Sequence, residues 1–454
     1  MTAGADRARL ARLLDRERAT HLERHPVSAT AHRRAERSLL GGVPMTWMAK
    51  NAGAHPVWLD GARGAHLECV DGHEYIDFSL GDTGAMAGHS PPPVVDAIGR
   101  RLVDAGGATT MLPSEDAAWV GEELTRRFGL PQWSLSLSAT DANRWALRLA
   151  RMLTGRSKVL VFSWCYHGTV DETFAVLTPD GARSRAGNVG PPVDPTVTTR
   201  VAEFNDLDGL ERELAAGDVA CVLAEPALTN IGIVLPDPGF LEGVRALTRA
   251  TGTLLVIDET HTFSAGPGGA TAAWGLEPDM TTLGKAIGGG VPAGAYGMTA
   301  ELAERALSSR DADLVDTGGV GGTLAGNALS VAAVRATLEH VLTPDAFGRM
   351  GALASRFADG VEDALERHGL PWSVSTLGAR TEYRFASPAP RTGTASAAAA
   401  DPELDDYLHL FTANRGVLMT PFHNMALMCP DTTQDDVDRH TDVFEAALDD
   451  LVGA

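Results

Sequence analysis

One lysine stands in a setting suited to covalent chemistry. Lys285 lies in TTLGKAIGGGVPAGAYG (281–297), among small residues and beside a glycine run. A lysine that bonds a carbonyl carbon needs a crowded, weakly polar site that lowers its pKa and lets a bulky partner approach the backbone. By itself the pattern more often describes a solvated lysine beside a loop. Asp258 ends TLLVIDETHT (253–262), a run that reads as an interior strand. A carboxylate there is costly to bury unless paired. The protonated ring nitrogen of an aromatic cofactor is such a partner, and holding that proton keeps the ring an electron sink. Capping a turn is the plainer alternative.

Two more segments carry suitable chemistry. Ser138, Ala139 and Thr140 come just before a helical pattern in SLSLSATDANRWALRLARMLTGR (134–156). Free N–H groups and the positive end of a helix dipole make such a bend an anion site, suited to a phosphate monoester. Ordinary Ser or Thr capping accounts for the same residues. Tyr166 and His167, in WCYHGTVDE (164–172), form an aromatic pair able to stack on a planar ring or simply to pack.

The surrounding elements place these groups together. Short β-branched runs alternate with helical patterns, as in a parallel, doubly wound sheet. Lys158–Ser163, Val219–Ala224 and Thr253–Ile257 are predicted strands. Open α/β sheets hold ligands at the C-terminal ends of their strands, where the polar residues here fall. After Thr140, Ala142, Trp145, Ala146, Leu149 and Leu153 form the apolar stripe of a core-facing helix. The first 75 residues read as a helix, a turn at Gly41–Gly42 and a hairpin turning at Asp71–Gly72. Residues 387–401, rich in Pro, Ala, Ser and Thr, read as a surface loop.

Bulk composition excludes several classes of function. A chain of 454 residues with 44% hydrophobic and 21% charged content is ordinary globular material. A net charge of −21 argues against nucleic acid and against anionic membrane surfaces. No run reaches the length of a membrane span, no signal peptide is read, and a cytoplasmic enzyme is expected. The scattered Cys69, Cys165, Cys221 and Cys429 suggest neither a metal site nor a disulfide framework.

In order and spacing these segments resemble the class III aminotransferases, in the branch of glutamate-1-semialdehyde aminomutase and β-amino-acid aminotransferases. The resemblance also rests on GGV (41–43), VDGHEYIDF (70–78), GHSPP (88–92), AEPALTNIGIVLP (224–236) and GGTLAGNALS (321–330). It implies an α/β protein of the pyridoxal-phosphate-dependent transferase fold type I. That fold has a large αβα domain around a mixed, mostly parallel sheet and a smaller α+β domain. The expected division is 1–75 as an N-terminal part of the small domain, 76–338 as the cofactor domain and 339–454 as the C-terminal small domain.

The resemblance implies a pyridoxal 5'-phosphate cofactor held as an internal aldimine on Lys285, with Asp258 on its ring nitrogen. Ser138, Ala139 and Thr140 would cradle the phosphate, Tyr166 and His167 would lie at the ring, and Asn230 would bond its phenolic oxygen. Glu225 would organise the site. Thr323 would reach the phosphate in the other subunit of a homodimer with active sites at the interface. The main expectation is transamination between a small-molecule amino donor and a carbonyl acceptor through pyridoxamine phosphate. An intramolecular aminomutase or a racemase is the alternative.

Departures from the pattern concern the substrate. The phosphate loop reads SATDA, with Ala139 where glycine is usual, which would be strained if the backbone there needed positive φ. GGVPMTWMAK has no arginine where relatives grip a carboxylate, and LMTPFHNMALMCP (418–430) has none either. Trp47, Met48, Phe422 and His423 are then expected to line a partly apolar pocket. Arg380 and Arg384, on one face of a predicted strand with Glu382 between them, are expected as a carboxylate clamp or an ion-pair ladder.

Overall fold

The computed structural model describes residues 6–309 and 320–453. In chain order the strands are β1 (Leu59–Arg63), β2 (His66–Cys69), β3 (Glu74–Asp77), β4 (Gln132–Ser136), β5 (Lys158–Phe162), β6 (Ala175–Thr178), β7 (Gly181–Ser184), β8 (Thr199–Ala202), β9 (Val219–Ala224), β10 (Leu254–Asp258), β11 (Met280–Leu283), β12 (Gly294–Met298), β13 (Ser373–Leu377), β14 (Arg380–Arg384), β15 (Val417–Leu418) and β16 (Met425–Leu427).

The larger of two compact units comprises Pro92–Phe347 and Pro390–Ala398. Among the described residues its sheet has seven strands in the order β4-β12-β11-β10-β9-β5-β8. All run parallel except β12, which is antiparallel to both neighbours. The sequences KVLVF, VACVLA and LLVID are nearly unbroken apolar runs because both faces of a parallel sheet are covered. The helix Ala139–Thr154 buries its predicted stripe, with Ala142, Trp145, Ala146, Leu149 and Leu153 all in the core. It ends at Gly155, whose φ of +68° closes the helix in the left-handed conformation. The mostly parallel αβα architecture expected of fold type I is what the chain adopts.

The smaller unit comprises Met1–Pro91, Gly348–Ala389 and Ala399–Ala454. Its sheets follow the orders β1-β2-β3-β15 and β13-β14-β16. The hairpin at Asp71–Gly72 joins β2 to β3, and Gly72 has the positive φ its turn requires. Residues 76–91, expected in the larger domain, fall in this unit because β3 pairs with both β2 and β15. The predicted loop at 387–401 also differs, because it contains the helix Gly393–Ala398, which belongs to the larger unit. Arg391 pairs there with Asp237, and Gly393 passes so close to β5 that a Cβ would lie 2.1 Å from the Ser163 carbonyl oxygen. No helix among the described residues is long and apolar enough to cross a membrane.

Candidate active site

β10 lies between β9 and β11, so its last residue, Asp258, is 2% exposed. Four donors meet the buried carboxylate. Oδ2 accepts from Asn143 Nδ2 at 2.7 Å and from His167 Nδ1 at 2.8 Å. Oδ1 accepts from the Thr260 amide at 3.0 Å and from Thr260 Oγ1 at 2.6 Å. Asn143 is itself oriented from the neighbouring strand, since Thr282 Oγ1 donates to its Oδ1 at 2.5 Å. Its amide nitrogen must then face Asp258.

Burial works against charge on Asp258, but the hydrogen bond and charge of His167, with the two bonds from Thr260, hold it below the ordinary carboxylate range. Burial also works against charge on His167. Contact with Cys165 and Asp258 outweighs it, so the imidazole lies well above its ordinary value. Glu225 and Glu259 behave oppositely, since burial pushes both carboxyls up. Tyr166 N donates to Glu225 Oε1 at 3.3 Å, while Ala270 N and Thr271 N donate to Glu259 at 3.1 and 2.5 Å. Burial thus raises Glu225 and Glu259, whereas its donors keep Asp258 below the ordinary carboxylate range.

Lys285 follows β11 and takes φ +47°, an uncommon conformation for a residue with a Cβ, costing roughly 1 kcal/mol or more. The chain beside it is closely packed. A Cβ on the preceding Gly284 would lie 2.8 Å from the Ala139 amide nitrogen. Lys285 Nζ lies 3.0 Å from His261 Nε2.

The bend at 138–140 opens the helix Ala139–Thr154, with Ser138 Oγ accepting from the Asp141 amide at 3.2 Å. Ala139 is the first helical residue and has no positive φ, so the expected strain is absent and alanine fits. Glycines crowd this bend. A Cβ on Gly294 would meet Ser136 Oγ at 2.4 Å, and one on Gly168 would meet Thr140 Oγ1 at 2.0 Å. His167 is buried and places its Nδ1 2.8 Å from Asp258 Oδ2. Tyr166 is half-buried, with its ring centroid 6.2 Å from that of Phe174. Asn230 is half-buried beyond β9, and Thr323 is exposed in a turn.

The substrate residues expected elsewhere lie in the smaller unit. Trp47 meets Phe422 edge to face at 5.9 Å, and Lys50 Nζ sits 5.5 and 5.3 Å from the two ring centroids. Met48 is exposed. Arg380 is fully buried on β14, and His423 Nδ1 lies 3.5 Å from Glu382 Oε1. Burial opposes charge on Glu382, yet His423, Arg380 and Arg384 hold its carboxyl below the usual range. Arg380, Glu382 and His423 are therefore buried rather than solvated, while Arg384 is half-buried.

The family model described as Aminotransferase class-III matches residues 47–448. The chain belongs to the class-III aminotransferase family. Glutamate-1-semialdehyde 2,1-aminomutase 2 of Geobacillus kaustophilus (strain HTA426) is 35% identical over 422 residues, covering 90% of this chain and 94% of that protein. The crystal structure of a glutamate-1-semialdehyde-aminomutase from Pseudomonas aeruginosa PAO1 has a TM-score of 0.96 and 48% identity, covering 99% of this chain and 100% of that one. A β-phenylalanine aminotransferase from Variovorax paradoxus has a TM-score of 0.84 and 26% identity, with 96% and 97% covered.

Pyridoxal phosphate is the cofactor of this class-III enzyme. The residues present fit it: an ionised buried carboxylate suits a ring N–H, a lysine amine suits an aldehyde, and a glycine-walled bend at a helix start suits a phosphate. The expectation of transamination as the main reaction is overturned, because the relatives at 35% and 48% identity are aminomutases. Both reactions use the same cofactor residues, so motifs alone could not separate them.

Sequence reasoning missed Asn143, Thr260, Thr282 and His261. Asn143 left a signal, as a polar residue within a helix whose neighbours Ala142, Trp145 and Ala146 are all core. His261 lies three residues beyond the strand-end aspartate, yet its approach to Lys285 depends on a residue 24 positions away.

Proposed function

We propose that this chain is an aminomutase that moves an amino group between adjacent carbons of one small amino aldehyde of the glutamate-1-semialdehyde kind. The observation that carries the reading is the 48% identity, over 99% of the chain, to a glutamate-1-semialdehyde-aminomutase. When bound, pyridoxal phosphate supplies an electron-withdrawing ring that makes proton loss from the nitrogen-bearing carbon accessible.

The chain's own residues do the rest. Lys285 anchors the cofactor through Nζ and carries the proton between the two substrate carbons. Asp258 holds the proton on the ring nitrogen, and the donors on its two oxygens keep it ionised and fixed. Ser138, Ala139 and Thr140 cradle the phosphate, Tyr166 covers the ring, and Asn230 bonds its phenolic oxygen. His167 acts behind Asp258, and Glu225 holds the Tyr166 backbone.

The working form is a homodimer in which Thr323 reaches the phosphate held by the other subunit. Val95, Leu102, Val103, Met111 and Leu112 support it, since they leave an apolar surface on the larger unit for a second copy to cover. A monomer in analytical ultracentrifugation overturns this part.

Incubating the holoenzyme with glutamate-1-semialdehyde and no keto acid tests the reaction. The expected product carries nitrogen on C1 and the carbonyl on C2. Absence of conversion, or conversion that requires an added carbonyl acceptor, overturns the reading.

A further inference from the structure

Lys285 Nζ approaches His261 Nε2 to 3.0 Å. His261 stands on the turn after β10 and is 8% exposed, so this nitrogen meets the lysine largely away from water.

A lysine amine can attack a carbonyl only without its proton, and a free lysine keeps that proton up to about pH 10.4, whereas an imidazole exchanges one near pH 6.5. Two nitrogens at 3.0 Å share a proton directly, within the reach required of a general base. We infer that His261 is the proton partner of Lys285. As Lys285 becomes nucleophilic, an Nζ–H bond breaks and an Nε2–H bond forms, so the single positive charge moves from amine to imidazole. The reverse transfer recharges the lysine when it is released. His261 Nδ1 carries the proton of the neutral tautomer throughout.

The inference rests on Lys285 as the cofactor anchor, but not on the intramolecular amino shift, because cofactor capture precedes any substrate. Apoprotein is mixed with pyridoxal phosphate and the visible absorption of the lysine-bound cofactor is followed in time. His261→Gln keeps a polar atom near the Nε2 position but cannot take up a proton. Near pH 7 it should capture the cofactor about tenfold or more slowly than wild type, with the deficit closing as pH rises towards about 10, where hydroxide does the work of the missing base. Equal rates near pH 7, or a deficit that persists unchanged to about pH 10, overturn the inference.

A second measurement does not depend on that variant folding. In the apoprotein, the His261 ring is titrated by NMR in wild type and in Lys285→Met. Removal of the neighbouring ammonium should move its midpoint to higher pH. Coincident midpoints overturn the proton partnership.

Discussion

His167 Nδ1 lies 2.8 Å from Asp258 Oδ2, and neither side chain reaches solvent. An ion pair this deep is costly to desolvate, and further hydrogen bonds to its members offset part of that cost. Asn143 and Thr260 supply them to the carboxylate. The result is a fixed negative charge at the end of β10, where a ring cation can be held.

Replacing Asp258 by Asn should remove the counter-charge of the ring nitrogen and cost roughly 3 kcal/mol or more in transition-state stabilisation, about a hundredfold in turnover. Turnover measured on cofactor-saturated enzyme checks this. A wild-type rate would reduce Asp258 to a structural cap.

Lys285→Ala should abolish turnover while still binding pyridoxal phosphate noncovalently, because Asp258 and the 138–140 bend are untouched. Equilibrium dialysis and an activity assay read the two halves separately. Near-normal activity would remove the basis for the covalent anchor.

Asn143→Leu should destabilise the larger unit by about 1–3 kcal/mol, since it takes one donor from Asp258 and leaves the Thr282 hydroxyl without its acceptor. Denaturant midpoints compare the variants. Asn143→Leu combined with Thr282→Val should recover part of the loss.

The smaller unit should weaken in acid through His21. Burial, with His25 nearby, lowers its pKa to about 4, from an ordinary 6.5. The folded chain therefore prefers neutral His21. Its contribution, about 3 kcal/mol, is complete above about pH 6.5 and is lost as pH falls towards about 4. The ring bonds the His55 carbonyl oxygen at 3.0 Å and lies so close to Gly53 that a Cβ there would be 2.7 Å away. His21→Gln can keep a bond to that oxygen without titrating. Melting curves from pH 7.5 to 4.5 should fall less steeply for the variant than for wild type.

Arg380→Met should cost about 3 kcal/mol, because it leaves the buried Glu382 short of compensating charge. Adding Glu382→Gln should restore much of it. Unchanged stability, with a raised KM for a carboxylate substrate alone, would instead favour the carboxylate clamp.

Residue types and local spacing determined a good deal about this protein. Unbroken apolar runs ending in polar residues specified a parallel sheet with its chemistry at one edge, and the stripe from Ala142 to Leu153 specified the helix that starts at the 138–140 bend. Lys285 and Asp258 stood out as candidates by residue type and position, but a solvated lysine and a turn-capping aspartate explain each alone, and the ordered motifs of the whole chain joined them into one site. The tertiary structure alone decided what surrounds them. Asn143 and His167 reach Asp258 from 115 and 91 positions away, and His261 reaches Lys285 across 24. Ala139, suspect on its own, proved to be an unstrained helical residue. A hydrogen bond is set by the positions of two groups in space, and for residues this far apart only the packed sheet and its helices fix those positions.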